Sequence, residues 1–117
     1  MSNKNNQAQK CANEIMKWLV KRDLTLDVSI YVNNCRYQYN EKAKTWNVEE
    51  DEDPRTYFEY TGDFLSMSFE GPLYDVMNYN YSVLTCDKLT TEFSNICSKY
   101  NKYYEQGNAW NLSLYNI

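Results

Sequence analysis

The chain has no histidine at all. That absence removes Ser-His and Cys-His nucleophile pairs, the commonest general base and the commonest transition-metal ligand together. Glycine occurs only three times, never as G-x-G-x-x-G or a P-loop, so no phosphate cradle is written here. No apolar run approaches the roughly 18 residues that span a bilayer, and the opening "MSNKNNQAQK" lacks the apolar segment of a signal peptide. A cytoplasmic protein with no membrane partner is therefore expected. Cys11, Cys35, Cys86 and Cys97 lie far apart without a C-x-x-C pair, which excludes a zinc ribbon and a thioredoxin-type motif. In a reducing compartment they read as small core residues. Glu70-Gly71-Pro72 lacks the lysine that would let Asp63 and Glu70 form a metal-dependent nuclease centre. Asp51-Glu52-Asp53 lacks the alternating oxygen ligands and turn glycine of a calcium loop. Neither metal nor cofactor is expected, and the chain reads as non-enzymatic; a carboxylate pair of the glycosidase kind is the catalytic alternative these absences leave open.

What the chain does contain is enough apolar material for one domain. At 117 residues and 43% hydrophobic content, a core without staples is within reach. Residues 1 to 6 are polar and expected to fray. Over residues 8 to 22, Ala8, Cys11, Ala12, Ile15, Trp18 and Leu19 recur at helical steps, with Lys17, Lys21 and Arg22 toward the end where cations suit the helix dipole. "LDVSIYV" then alternates as a half-buried strand does, Asn33-Asn34 supplies a two-residue turn, and "CRYQY" alternates back. That register sets Val32 opposite Cys35, Ile30 opposite Tyr37 and Val28 opposite Tyr39 on the core side, and Tyr31 opposite Arg36 outside.

"TWNV" predicts a third strand with Trp46 and Val48 on one face. "TYFEY" and "FLSMSF" read as strands joined by a turn at Thr61-Gly62-Asp63. Pro72 opens a short helix with Leu73, Val76 and Met77 inward, and "NYNYS" reads as an exposed loop. A second long helix is predicted over residues 87 to 106, capped by Thr85 or Asp87 and closed by Gly107, with Leu89, Phe93, Ile96, Cys97, Tyr100 and Tyr104 as its stripe. A last strand carries Trp110, Leu112 and Leu114. The expected class is α+β: a single domain with a largely antiparallel sheet and helices on one face.

Two surface features stand out. Between residues 41 and 75 there are ten acids against three bases, while the rest of the chain is three positive within a net charge of -4. If residues 49 to 53 are extended, Glu49, Asp51 and Asp53 project from one side at about 6.8 Å intervals, twice the strand rise, in the manner of successive phosphates. Such a surface attracts a basic nucleic-acid-binding groove, and its sign opposes direct binding of DNA or RNA. Acids before a proline are also what a merely solvated loop contains. The second feature is tyrosine: there are twelve, and Tyr31, Tyr57, Tyr60, Tyr79, Tyr81 and Tyr103 exceed what one core holds. Tyrosine gives a large contact area at low entropic cost, although a sheet edge also uses it.

This short, acidic, tyrosine- and asparagine-rich chain, densest at "VEEDEDPRTYFEY", resembles the small inhibitors of phages and mobile elements, anti-CRISPR proteins in particular. The resemblance implies a protein that occupies a basic groove of a host nucleic-acid-binding enzyme, such as a CRISPR effector. Glu49, Glu50, Asp51, Glu52, Asp53 and Glu59 would face the groove, with Tyr57, Tyr60, Tyr79 and Tyr81 supplying contact. The alternative is a small-molecule or nucleotide-signal sponge that stacks its ligand on tyrosines and holds it with Arg36 or Arg55.

Overall fold

The computed structural model describes residues 3 to 117. Helix α1 (Asn3–Lys21) buries the predicted stripe of Ala8, Cys11, Ala12, Ile15, Trp18 and Leu19. Fraying was expected over residues 1 to 6, but the chain is already helical at residue 3; residues 1 and 2 lie outside the described part. Strands β1 (Val28–Val32) and β2 (Cys35–Asn40) form the predicted hairpin. Asn33 and Asn34 both take left-handed φ, 52° and 64°, as a type I′ turn demands. Val32 pairs with Cys35, Tyr31 with Arg36 and Ile30 with Tyr37. Strand β3 (Thr45–Glu50) continues the meander against β2.

The remaining elements are a single 3-10 turn (Pro54–Thr56), strand β4 (Leu65–Phe69), helices α2 (Pro72–Met77) and α3 (Val83–Lys99), and strands β5 (Lys102–Asn108) and β6 (Asn111–Asn116). The six strands form one sheet in the order β3-β2-β1-β4-β6-β5, and every neighbouring pair is antiparallel. The fold is α+β, with the helices on one face.

Two predicted elements differ. Residues 56 to 60 are not a strand: Pro54 and the Asp53 side chain, which accepts the Arg55 backbone N–H, turn the chain into a 3-10 turn instead. The second long helix starts four residues early, because the Ser82 hydroxyl accepts the Thr85 N–H, and it ends at Lys99. The left-handed residue that closes it is Asn101, at φ 62°, rather than Gly107. Tyr104 therefore lies on a strand. The Tyr100-Tyr104 spacing imitates a helix, but Lys102–Asn108 finds its hydrogen bonds along β6.

Alternation along β1, β4 and β6 sends Val28, Ile30, Val32, Leu65, Met67, Phe69, Leu112 and Leu114 into one core with α1, α2 and α3. Phe93 of α3 is its hub, with ring centroids 5.5 Å from Trp18 and 5.1 Å from Tyr104. Gly71 lets the chain enter α2 close to the first strand, since an added Cβ would lie 2.3 Å from the Leu26 carbonyl oxygen. The helical layer stops at α1, so the helix-side residues of β2 and β3 are only partly covered: Val48 is 52% exposed. Two polar clamps join α1 to α3. Glu92 accepts the Trp18 indole N–H at 2.9 Å and the Arg22 guanidinium at 2.5 Å. Glu14 accepts Lys99 at 2.7 Å and the Tyr100 hydroxyl.

Phe93→Ala is expected to lower unfolding stability by about 3–5 kcal/mol, whereas Leu84→Ala, at a side chain 84% exposed, should stay within about 0.5 kcal/mol of the parent; urea denaturation separates them. The clamps make a second prediction. The Trp18 and Arg22 hydrogen bonds hold Glu92 below the usual carboxylate range, and Lys99 and Tyr100 do the same for Glu14. A carboxyl whose folded pKa is depressed adds stability above its unfolded value and loses it as pH falls through the folded one. Stability should therefore drop below about pH 4.3, the ordinary glutamate value, and the Glu14→Gln/Glu92→Gln variant should show a flatter acid limb in pH-dependent melting.

Candidate functional site

On the sheet face turned away from the helices, the register lines up polar residues. The Ser66 and Ser113 hydroxyls meet at 2.6 Å in the interior, and the Gln38 amide donates to Ser29 at 2.9 Å. This face is not left to water. Residues 51 to 64 cross it, and one side chain fixes them there. Phe58, 7% exposed, stands edge-on to Tyr31 and to Trp110, 5.7 Å from each, a preferred aromatic geometry. Tyr57 adds a ring 5.8 Å from Tyr31 and lies beneath the Arg36 guanidinium, 5.5 Å from its centroid. Further along, the Tyr60 carbonyl accepts the Tyr115 hydroxyl at 3.1 Å and the Ser113 hydroxyl at 3.3 Å. Removing a phenylalanine side chain from water contributes roughly 1.5–3 kcal/mol, enough to select one loop arrangement over many. Tyr31, expected outside, is thus buried at 4% exposure beneath this cover.

The acids enter this arrangement one by one. Glu49, on β3 opposite Arg36, accepts its guanidinium at 2.8 Å. Glu50 is exposed at the end of the strand. Asp51 takes a left-handed φ of 57° and accepts the Asn34 side-chain amide at 3.3 Å. The extended comb of Glu49, Asp51 and Asp53 therefore does not form. The strand ends where the chain hooks over the β1–β2 turn, and the Glu52 N–H donates to the Asn34 carbonyl at 3.1 Å. The Glu52 carboxylate accepts the Tyr57 hydroxyl at 2.5 Å, which raises the phenol above its usual range. Asp53 receives both the guanidinium and the backbone N–H of Arg55, each at 2.9 Å. Those bonds hold its carboxyl below the ordinary aspartate range. Glu59 and Asp63 are exposed at the other end of the loop. Between Asn34, Asp53, Arg55 and Asp63 lies a polar cleft of about 210 Å³.

Counting residues 49 to 63, seven carboxylates face one arginine, so the cover stays strongly anionic after Arg36 is included. Tyr57 and Tyr60, 46% and 67% exposed, stand within it. Tyr79 and Tyr81 do not. Tyr79 donates to Asp87 of α3 at 2.6 Å, which puts it over the helical layer, across the sheet from Tyr57. The single ring-studded face expected from the sequence is thus divided into an acidic loop with two tyrosines and a separate corner at the start of α3. At that corner Val83 and Leu84 are both largely exposed, a pair that apolar patterning alone does not single out. The available signal is that both lie outside the stripe of Leu89, Phe93 and Cys97. Met16, Val20, Tyr37 and Trp46 line an apolar groove of about 560 Å³ beside α1. Their spacing gives no sign of it, because apolar residues at helical and strand periods suit a core equally well.

Among the described residues, no three His, Cys, Asp or Glu side chains converge as a metal site would require, and no helix is long and apolar enough to cross a membrane. No protein-family model matches the chain, nor does any curated protein or solved structure.

Phe58→Ala should release the loop without unfolding the helical core. Amide hydrogen exchange over residues 51 to 64 is expected to accelerate at least about tenfold, in keeping with local opening, while amides of α1 and α3 keep their protection.

Proposed function

We propose that this chain is a non-enzymatic protein-binding inhibitor whose acidic segment, residues 49 to 63 at the end of β3 and in the loop that follows, occupies a basic nucleic-acid-binding groove on its target. The observation that carries this reading is the anchoring of the loop. A solvated acidic loop needs no ring inserted between Tyr31 and Trp110, and no internal partner for Glu52 or Asp53. Here the charges are carried on a segment with one shape before any partner arrives, which lowers the entropic cost of association. Concentrated negative charge speeds the encounter with a cationic groove and opposes direct binding to nucleic acid. Exposed Tyr57 and Tyr60 supply contact area of the kind that dominates protein interfaces.

The resemblance to phage and mobile-element inhibitors names the partner class: a host nucleic-acid-binding enzyme, with a CRISPR effector as the leading example. The rival reading, a nucleotide-signal sponge held by Arg36 or Arg55, is less well supported, since both guanidinium groups are already paired with carboxylates.

The carboxylates separate into those that hold the loop and those that face outward, so the test uses the second set. A variant combining Glu59→Lys and Asp63→Lys is expected to melt within a few degrees of the parent. Immobilised parent protein should retain basic proteins from a bacterial lysate at low salt and release them to short duplex DNA as competitor; the variant should retain at most about a tenth as much, given the steep salt and charge dependence of such contacts. Retention that ignores both the competitor and the substitutions would overturn the reading.

A further inference from the structure

Beyond the anionic loop, the sheet ends in an unguarded edge. Of its two edge strands, β5 carries a register shift between Gln106 and Asn108, a device that spoils pairing with a further strand. Strand β3 has no proline and no bulge, and among the described residues no further strand pairs with its outer side; five of its six residues are exposed, with Trp46 half-buried. Its outer row of backbone N–H and C=O groups is a template for one more strand.

The charge along β3 says which strand. Lys42 and Lys44 lie just before Thr45, and Glu49, Glu50 and Asp51 lie at its other end. A strand that is cationic at its start and anionic at its finish matches itself when reversed, because antiparallel pairing lays each end against the opposite sign. We infer that β3 pairs antiparallel with β3 of a second copy of this chain, about a twofold axis normal to the sheet.

Side-chain parity restricts the register, since residues directly opposite must point to the same face. An axis through Asn47 sets Trp46 against Val48 of the second copy and brings Lys44, in the turn just before the strand, beside its Glu50. An axis through Val48 would set Val48 against itself but Trp46 against Glu50, and would leave Lys44 opposite Glu52, which lies past the left-handed Asp51 with its N–H turned to Asn34, so the indole loses its apolar partner and the ion pair falls outside the strand. The first register therefore prevails, and every favourable pairing occurs twice, as an isologous interface requires. It also gives the half-exposed Val48 an indole neighbour. A twofold normal to the sheet keeps faces in common, so both anionic loops end up on the same side of one continuous twelve-stranded sheet, the sum of two six-stranded sheets.

Sedimentation equilibrium on the full chain tests this without reference to any inhibitory target. The parent should be dimeric. Lys44→Glu and Glu50→Lys, each at an exposed position, should each weaken dimerisation at least tenfold by opposing like charges. The double variant Lys44→Glu/Glu50→Lys should restore it. The two residues flank the length of β3, about 20 Å apart at the usual rise, so a contact within one chain cannot produce that rescue. A parent that stays monomeric throughout the concentration range overturns the proposal. So does a dimer indifferent to both single substitutions, or one that the double variant fails to recover.

Discussion

The structure depends on a sheet whose central strands must be covered on both faces. Strands β1, β4 and β6 are buried almost throughout, yet the helices can lie on only one side of them. The other side is closed by fourteen residues of irregular chain, numbers 51 to 64, held through Phe58. Irregular backbone is a poor lid unless its polar groups are answered. Ser113, Tyr115 and Asn34 do this, accepting from or donating to the crossing segment. A loop that would otherwise be a solvated connection becomes part of the architecture, and its surface charge becomes part of a fixed shape.

That constraint gives the acids two different jobs. Glu49, Glu52 and Asp53 are engaged internally, with Arg36, Tyr57 and Arg55, and they define the path of the chain from strand to 3-10 turn. Glu50, Glu59 and Asp63 stay exposed. Exposed ion pairs such as Asp53 with Arg55 contribute little stability by themselves; their value here is geometric. The rings set the fold of the cover and the outward carboxylates set its field, so ionic strength screens that field while the shape persists.

Much of the fold was legible in the sequence because periodicity and turn chemistry agreed. The Asn33-Asn34 turn specifies the three β1–β2 pairs from Val32–Cys35 to Ile30–Tyr37, and every residue of the expected α1 stripe is buried, with Met16 added to it. The failures have physical causes. "TYFEY" has strand propensity, but a capping aspartate followed by proline sets up a 3-10 turn before that propensity can act. Tyr100 and Tyr104 satisfy a helical spacing, yet Asn101 terminates the helix between them. Tyr31 alternates to the outside of its hairpin and is buried anyway, because a segment roughly thirty residues downstream folds over it. Nothing local to Tyr31 carries that information. For the same reason the site was legible in its charge and not in its layout: composition located the anionic segment, while the separation of Tyr79 and Tyr81 from Tyr57 and Tyr60 depends on which side of the sheet each connection runs.

Both ends of β3 are clipped by residues in the left-handed region, Lys44 at φ 56° and Asp51 at φ 57°, so this edge cannot lengthen. An edge of fixed length that recognises its own reverse is used up by a single neighbour, while the bulged β5 offers no second docking row. Growth of the sheet from copy to copy would need two competent edges, and this sheet has one. Such a molecule can carry an exposed strand at high concentration, because the assembly that strand permits is closed and terminates instead of propagating into a fibre.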